Sequence, residues 1–191
     1  MLHDAGAALA TEAINRGGLK SGDKVFVWGL KAQPGRGERT LGVRPTPWRR
    51  RASNVVYLEI DDATNADPAA GVSAFTGMAS ANPDLKAIFT DHGNVTSTIP
   101  TYMKAANLAP GSIYAAGFDA SAATVQGVKD GYINLVIDQQ QYLQGFLAVQ
   151  QLCLSHQYGF SGLFSEHRRW LHRQVERRRH RPARRAADPV T

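Results

Sequence analysis

Short apolar runs alternate with longer stretches of helical period along most of this 191-residue chain. Lys24–Leu30 (KVFVWGL), Val55–Ile60 (VVYLEI), Ala87–Asp91 (AIFTD), Ile113–Gly117 and Ile133–Ile137 read as strands, too short for helices and nearly continuous in apolar character. Such runs suit strands buried on both faces of a parallel sheet. Between them the apolar spacing turns helical. A first helix runs from a cap at Asp4 to about Arg16, with Ala7, Ala8, Leu9, Ala13 and Ile14 on one side, and Gly17-Gly18 ends it. Further helices are predicted over about 68–80, 98–107, 121–129 and 142–156. Loops take up 31–39, the polar DDATNAD stretch and HGNVTS. Strands alternating with helices at this spacing predict an α/β fold with a doubly wound parallel sheet.

The formal net charge of +6 changes that picture in two places only. Residues 43–54 (VRPTPWRRRASN) hold four Arg and no acid, and residues 165–191 hold nine Arg against Glu166, Glu176 and Asp188. Removing these patches, which carry +4 and +6, leaves a net −4 on the rest. The basicity therefore says little about the globular part, although a basic tail with Trp170 would suit a nucleic-acid arm. The single Cys153, flanked by Leu152 and Leu154, excludes an internal disulfide and reads as a buried thiol in a helix. No apolar run reaches the length of a membrane span, and Met1-Leu2-His3-Asp4 is expected to lead directly into a helix with no secretory signal.

The candidate chemistry sits at strand ends. The fourth strand ends on Asp119 and the fifth on Asp138-Gln139, so a carboxylate and an amide face the crevice where open α/β sheets bind ligands. Asp119 also suits an N-cap for the helix that follows. Gly117-Phe118-Asp119 before a helix, and Ile137-Asp138-Gln139-Gln140 followed by Tyr142-Leu143-Gln144-Gly145, resemble the sugar-binding proteins of bacterial ABC importers, which have the type I periplasmic-binding fold. The resemblance implies that Asp119 accepts hydrogen bonds from adjacent sugar hydroxyls and that Gln139 donates and accepts beside it. It implies an Arg contact from the first loop, assigned to Arg36, with Arg39 anchoring the next helix. It places His92 where the family usually has Asn or Asp, and it assigns Asn65, or Asp62, after the second strand. Asp138 and Gln140 are expected at the hinge.

By the same resemblance, residues 1–130 correspond mainly to the second lobe, 131–164 to the hinge crossover and return to the first lobe, and 165–191 to a basic tail outside the fold. The mechanism implied is closure of two lobes on a sugar for delivery to a membrane permease, with no cofactor, no metal and no nucleic-acid partner. An effector-sensing domain of a sugar-responsive regulator, which shares the fold, is the alternative. No Gly-x-Ser-x-Gly elbow, Walker loop or His pair at metal spacing points to an enzyme, and Gly35-Arg36-Gly37 lacks the dinucleotide-loop register. The family is periplasmic, whereas the chain as written, with no signal, is expected to remain cytoplasmic. It also lacks a counterpart for the signal and first part of lobe one, so it is expected to be a fragment that binds sugar weakly or not at all. Both Arg-rich patches are expected to be out-of-frame translation of a GC-rich gene. Residues 45–53 can be encoded so that another frame reads the helix-forming DALEAAGL, and the tail so that another frame is Arg-poor and amphipathic.

Overall fold

The computed structural model describes residues 2–43, 54–162 and 173–176. Most of both Arg-rich patches, and the frame-shift expectation with them, lies outside those residues. Five strands form a parallel sheet: β1 (Lys24–Gly29), β2 (Asn54–Glu59), β3 (Leu85–Thr90), β4 (Tyr114–Phe118) and β5 (Leu135–Asp138). Arg173–Glu176 adds β6 antiparallel to β5, giving the order β2-β1-β3-β4-β5-β6. The chain leaves β1 toward β2 and returns to β1's other side as β3. That reversal opens a crevice at the carboxyl ends of β1 and β3.

Alternation along each strand divides the core into two layers. Val25, Val27, Ala87, Phe89, Ala116, Phe118, Leu135 and Ile137 point to one face, where α1 (Leu2–Gly17) and α2 (Gly37–Val43) cover them. Phe26, Trp28, Ile88, Ala115 and Val136 point to the other, under α4 (Val72–Ala81), α5 (Gly93–Ala105) and α6 (Ala122–Lys129). Each large side chain buried this way contributes roughly 1.5–3 kcal/mol. The second layer centres on Trp28, Phe75 and Tyr102, with the Tyr102 ring 5.2 Å from Trp28 and 5.6 Å from Phe75. The Tyr102 hydroxyl is kept satisfied by donating to the Pro68 carbonyl at 2.6 Å.

Several local expectations are corrected. Asp4 lies in the first turn of α1, where a carboxylate favours the helix dipole, rather than capping it. The loop after β1 stops at Arg36 because α2 begins at Gly37. The DDATNAD stretch folds as α3 (Asp62–Ala66), because Asp61 caps it by accepting from the Thr64 N–H at 2.7 Å. A 3-10 turn, Pro68–Gly71, links it to α4. HGNVTS is the start of α5 after His92, not a loop. The cap of α6 is Ser121 in a capping box with Thr124, so Asp119 is free of that duty.

The last helix, α7 (Gln141–Tyr158), buries no residue. Cys153 is therefore exposed, not buried, because nothing among the described residues covers this helix.

Candidate functional site

The carboxyl ends of β1, β3, β4 and β5 converge on a cleft of about 410 Å³. Arg36, Arg39, His92, Gly93, Asn94, Asp119, Gln139, Gln141 and Gln144 line it. Four of the five residues singled out from sequence (Asp119, Gln139, Arg36 and His92) are thus brought together. Asn65 is not; it stands one step behind, its carbonyl accepting from Asn94 Nδ2 at 3.1 Å. Arg39, Gln141 and Gln144 were missed. The signal for Arg39 was a helix beginning at Gly37, which sets Arg36 and Arg39 one turn apart and turns both toward the cleft.

Asp119 is held in the left-handed region at φ 71°, a conformation Asp tolerates better than most residues. Its N–H donates to the Ile137 carbonyl at 2.9 Å, tying β4's end to β5. The carboxylate comes so close to the start of α5 that a Cβ at Gly93 would lie 2.4 Å from Oδ2. Its Oδ1 accepts from the side-chain amides of Gln139 and Gln141. Gln139 in turn accepts from Arg39 Nη2, while Arg39 Nη1 donates to the Asp91 carbonyl at 3.2 Å. The Arg39 guanidinium also lies over the Phe118 ring, 5.0 Å from its centroid. Arg39 thus lines the cleft while bonding Gln139 and the Asp91 carbonyl. Its pKa is lowered by burial, against the pull of Asp119 and Asp91, yet an Arg keeps its charge throughout the physiological range.

On the opposite side, Arg36 Nη1 lies 3.1 Å from His92 Nε2. A guanidinium only donates, so Nε2 must be the acceptor of a neutral imidazole with its proton on Nδ1. Burial, foremost, lowers the His92 pKa; Asp91 pulls upward and the two arginines push further down. A depressed folded pKa means the unfolded chain takes up this proton first. His92 should therefore erode stability as pH falls below its ordinary value of 6.5. Thermal denaturation of His92→Asn should show a flatter dependence on pH just below that value than the unaltered protein. Parallel curves would remove His92 as the source.

Asp138 and Gln140 form a compact turn: Asp138 Oδ1 accepts from the Gln140 N–H at 2.8 Å and Oδ2 from its side-chain amide. Gln140 sits at φ 56° where α7 begins, so the chain changes direction sharply between β5 and α7. The cleft as a whole offers one carboxylate, two guanidinium forks and several amides, a mixture of acceptors and donors matched to a polyhydroxylated molecule. No group of three or more metal-ligating side chains occurs among the described residues, and no described helix is long and apolar enough to cross a membrane.

The chain belongs to the periplasmic binding protein family: residues 2–155 match its periplasmic binding protein domain. The type I fold expected from Asp119 and Gln139 is the one observed. Among curated proteins it is similar to the xylose/arabinose-binding protein of Sulfolobus acidocaldarius, 35% identical over 79 residues, which are 39% of this chain and 20% of that one. Among solved structures it resembles an ABC transporter solute-binding protein from Burkholderia graminis in complex with D-arabinose. That match has 25% identity and a TM-score of 0.68, over 82% of this chain and 53% of the other. An arabinose-binding protein from Geobacillus stearothermophilus matches equally, at 25% identity and TM-score 0.68 over 86% and 55%. The chain thus spans about half the length of these solved relatives and less of the curated one. Its family and these relatives are solute-binding proteins rather than enzymes.

Proposed function

We propose that this chain is part of the solute-binding component of a sugar ABC importer, and that its cleft takes a neutral monosaccharide of the pentose class for delivery to a membrane permease. The observation that carries the reading is the Arg39–Gln139–Asp119 chain of hydrogen bonds, which links α2 to the ends of β5 and β4. It presents a charged donor, an amide and a charged acceptor in sequence, as vicinal hydroxyls require, since each hydroxyl both donates and accepts. The relatives named for arabinose and xylose favour a pentose. Residues 1–130 are assigned to the second lobe and the Asp138–Gln140 turn to the hinge. Asp119, Gln139, Arg36, Arg39 and His92 are the assigned ligand contacts, with Asn65 supporting Asn94.

One wall of such a cleft can make only part of the full set of hydrogen bonds. Binding by the 191-residue chain is accordingly expected at a Kd on the order of millimolar, about −4 kcal/mol. Titration of the purified chain with D-arabinose, D-xylose and D-ribose, followed by amide NMR shifts, tests it. At least one sugar should give saturable shifts around Asp119, Gln139 and His92. Asp119→Ala should weaken that binding by about tenfold or more, as loss of a charged acceptor does. Absence of saturable shifts with every sugar overturns the reading.

A further inference from the structure

We propose that Asp91, buried behind the cleft and not lining it, is the positioning residue that aims Arg39 at the ligand; the inference rests on the sugar-cleft reading above. Asp91 is 2% exposed and follows the end of β3. Its Oδ2 accepts from the Leu30 N–H at 2.9 Å and from the Thr40 hydroxyl at 2.6 Å, and its carbonyl accepts from Arg39 Nη1 at 3.2 Å. One residue therefore ties together the end of β1, the turn of α2 that carries Arg39, and the guanidinium itself. The space for this arrangement is provided by Gly29, where a Cβ would come within 2.3 Å of Thr40 Oγ1 and 2.8 Å of Asp91 Oδ2.

A neutral amide could satisfy Leu30 and Thr40 as well as a carboxylate does, and it would avoid a desolvation penalty of several kcal/mol. What an amide could not supply is negative charge: burial raises the Asp91 pKa, whereas the Leu30 N–H, the Thr40 hydroxyl and the nearby Arg39 favour the carboxylate. Two of the buried polar atoms left without a hydrogen bond, Asp91 Oδ1 and Arg39 Nε, belong to this same cation and anion. The Thr40 bond fixes the turn of α2 from which Arg39 projects, and the carbonyl bond fixes its guanidinium, which also donates to Gln139. Asp91 acts on the ligand through Arg39, not by touching it.

A double-mutant cycle on the full chain decides this, with the Kd for D-arabinose, or for whichever pentose binds most tightly, read by NMR titration. Asp91→Asn should weaken binding by about tenfold when Arg39 is present and by less than about twofold in an Arg39→Ala background. An equal loss in both backgrounds, or no loss in either, overturns the proposal. If Asp91→Asn does not fold, Thr40→Val replaces it in the cycle, keeping volume while removing a donor to the carboxylate. Its loss of about threefold should likewise vanish in Arg39→Ala. Failure of the underlying reading looks different: the unaltered chain would bind no pentose, or Asp119→Ala would bind as well as the unaltered chain.

Discussion

Replacing Gly6 with alanine is expected to destabilise the protein by about 2 kcal/mol and to weaken the proposed sugar binding with it. Gly6 lies where α1 crosses α2. A Cβ there would stand 2.1 Å from the Arg39 carbonyl oxygen and 3.0 Å from the Val43 amide nitrogen. The crossing is reciprocal, since a Cβ at Gly42 would stand 2.0 Å from the His3 carbonyl. These are backbone atoms, which cannot rotate aside, so the helices would have to part. Alanine gains about 1 kcal/mol of helix propensity over glycine, but separating the helices costs more, because Leu9, Ala10, Ala13 and Val43 are packed through this contact. The residue displaced first is Arg39, whose carbonyl meets the new methyl and whose side chain faces the cleft. Gly77 in α4 is the control: nothing lies within 4 Å of its Cβ position, so Gly77→Ala should stabilise by about 0.5–1 kcal/mol. Equilibrium urea denaturation measures both. A Gly6→Ala protein as stable as its parent would refute the close crossing.

The strands were legible because burial on both faces leaves a continuous apolar run, as in Val25 to Trp28, all nearly inaccessible. Asp119 and Gln139 were legible for a related reason: the residue after such a run stands at the strand's carboxyl end wherever the helices lie. Helix starts were harder to read. Asn94 and Ser97 look like loop residues, yet the Ser97 and Thr98 hydroxyls donate to the Asn94 carbonyl at 2.8 and 2.9 Å within the first turns of α5. The place of Arg39 in the cleft lining was not legible, because it depends on α2 beginning at Gly37, and a Gly/Pro/Arg stretch does not declare that start. Asp91 was invisible as anything but a strand terminus, since its partners Leu30 and Thr40 lie 61 and 51 residues away. Cys153 was misread because apolar neighbours along a helix predict burial only if another element covers them.

That helix, which no described residue covers, carries the second large expectation: the chain should self-associate, and replacing Phe146 with Glu and Leu152 with Lys should leave it monomeric. Every large apolar side chain exposed among the described residues lies on α7, including Tyr142 at 78%, Phe146 at 49%, Val149 at 61% and Leu152 at 70%. Tyr142, Phe146 and Val149 follow helical spacing, and the first two rings stack 5.9 Å apart, so they form a stripe rather than scattered sites. Each such side chain gains roughly 1.5–3 kcal/mol when fully buried, against about 4–15 kcal/mol lost in bringing two molecules together. A stripe of this size on each of two copies can exceed the lower part of that cost, which gives weak, concentration-dependent association. A charge at Phe146 and another at Leu152 would have to be desolvated in any such contact, and the balance reverses. Because α7 buries no residue, the double substitution should leave the thermal midpoint unchanged at concentrations low enough to keep the parent monomeric. Gln141 and Gln144 line the cleft from the same helix, and neither is altered, so the proposed pentose binding should persist. Sedimentation velocity at concentrations on the order of 100 μM, typical of weak contacts, is the measurement. A parent chain that stays monomeric there would show the stripe too weak to associate, and a lowered midpoint in the variant would show that α7 is packed.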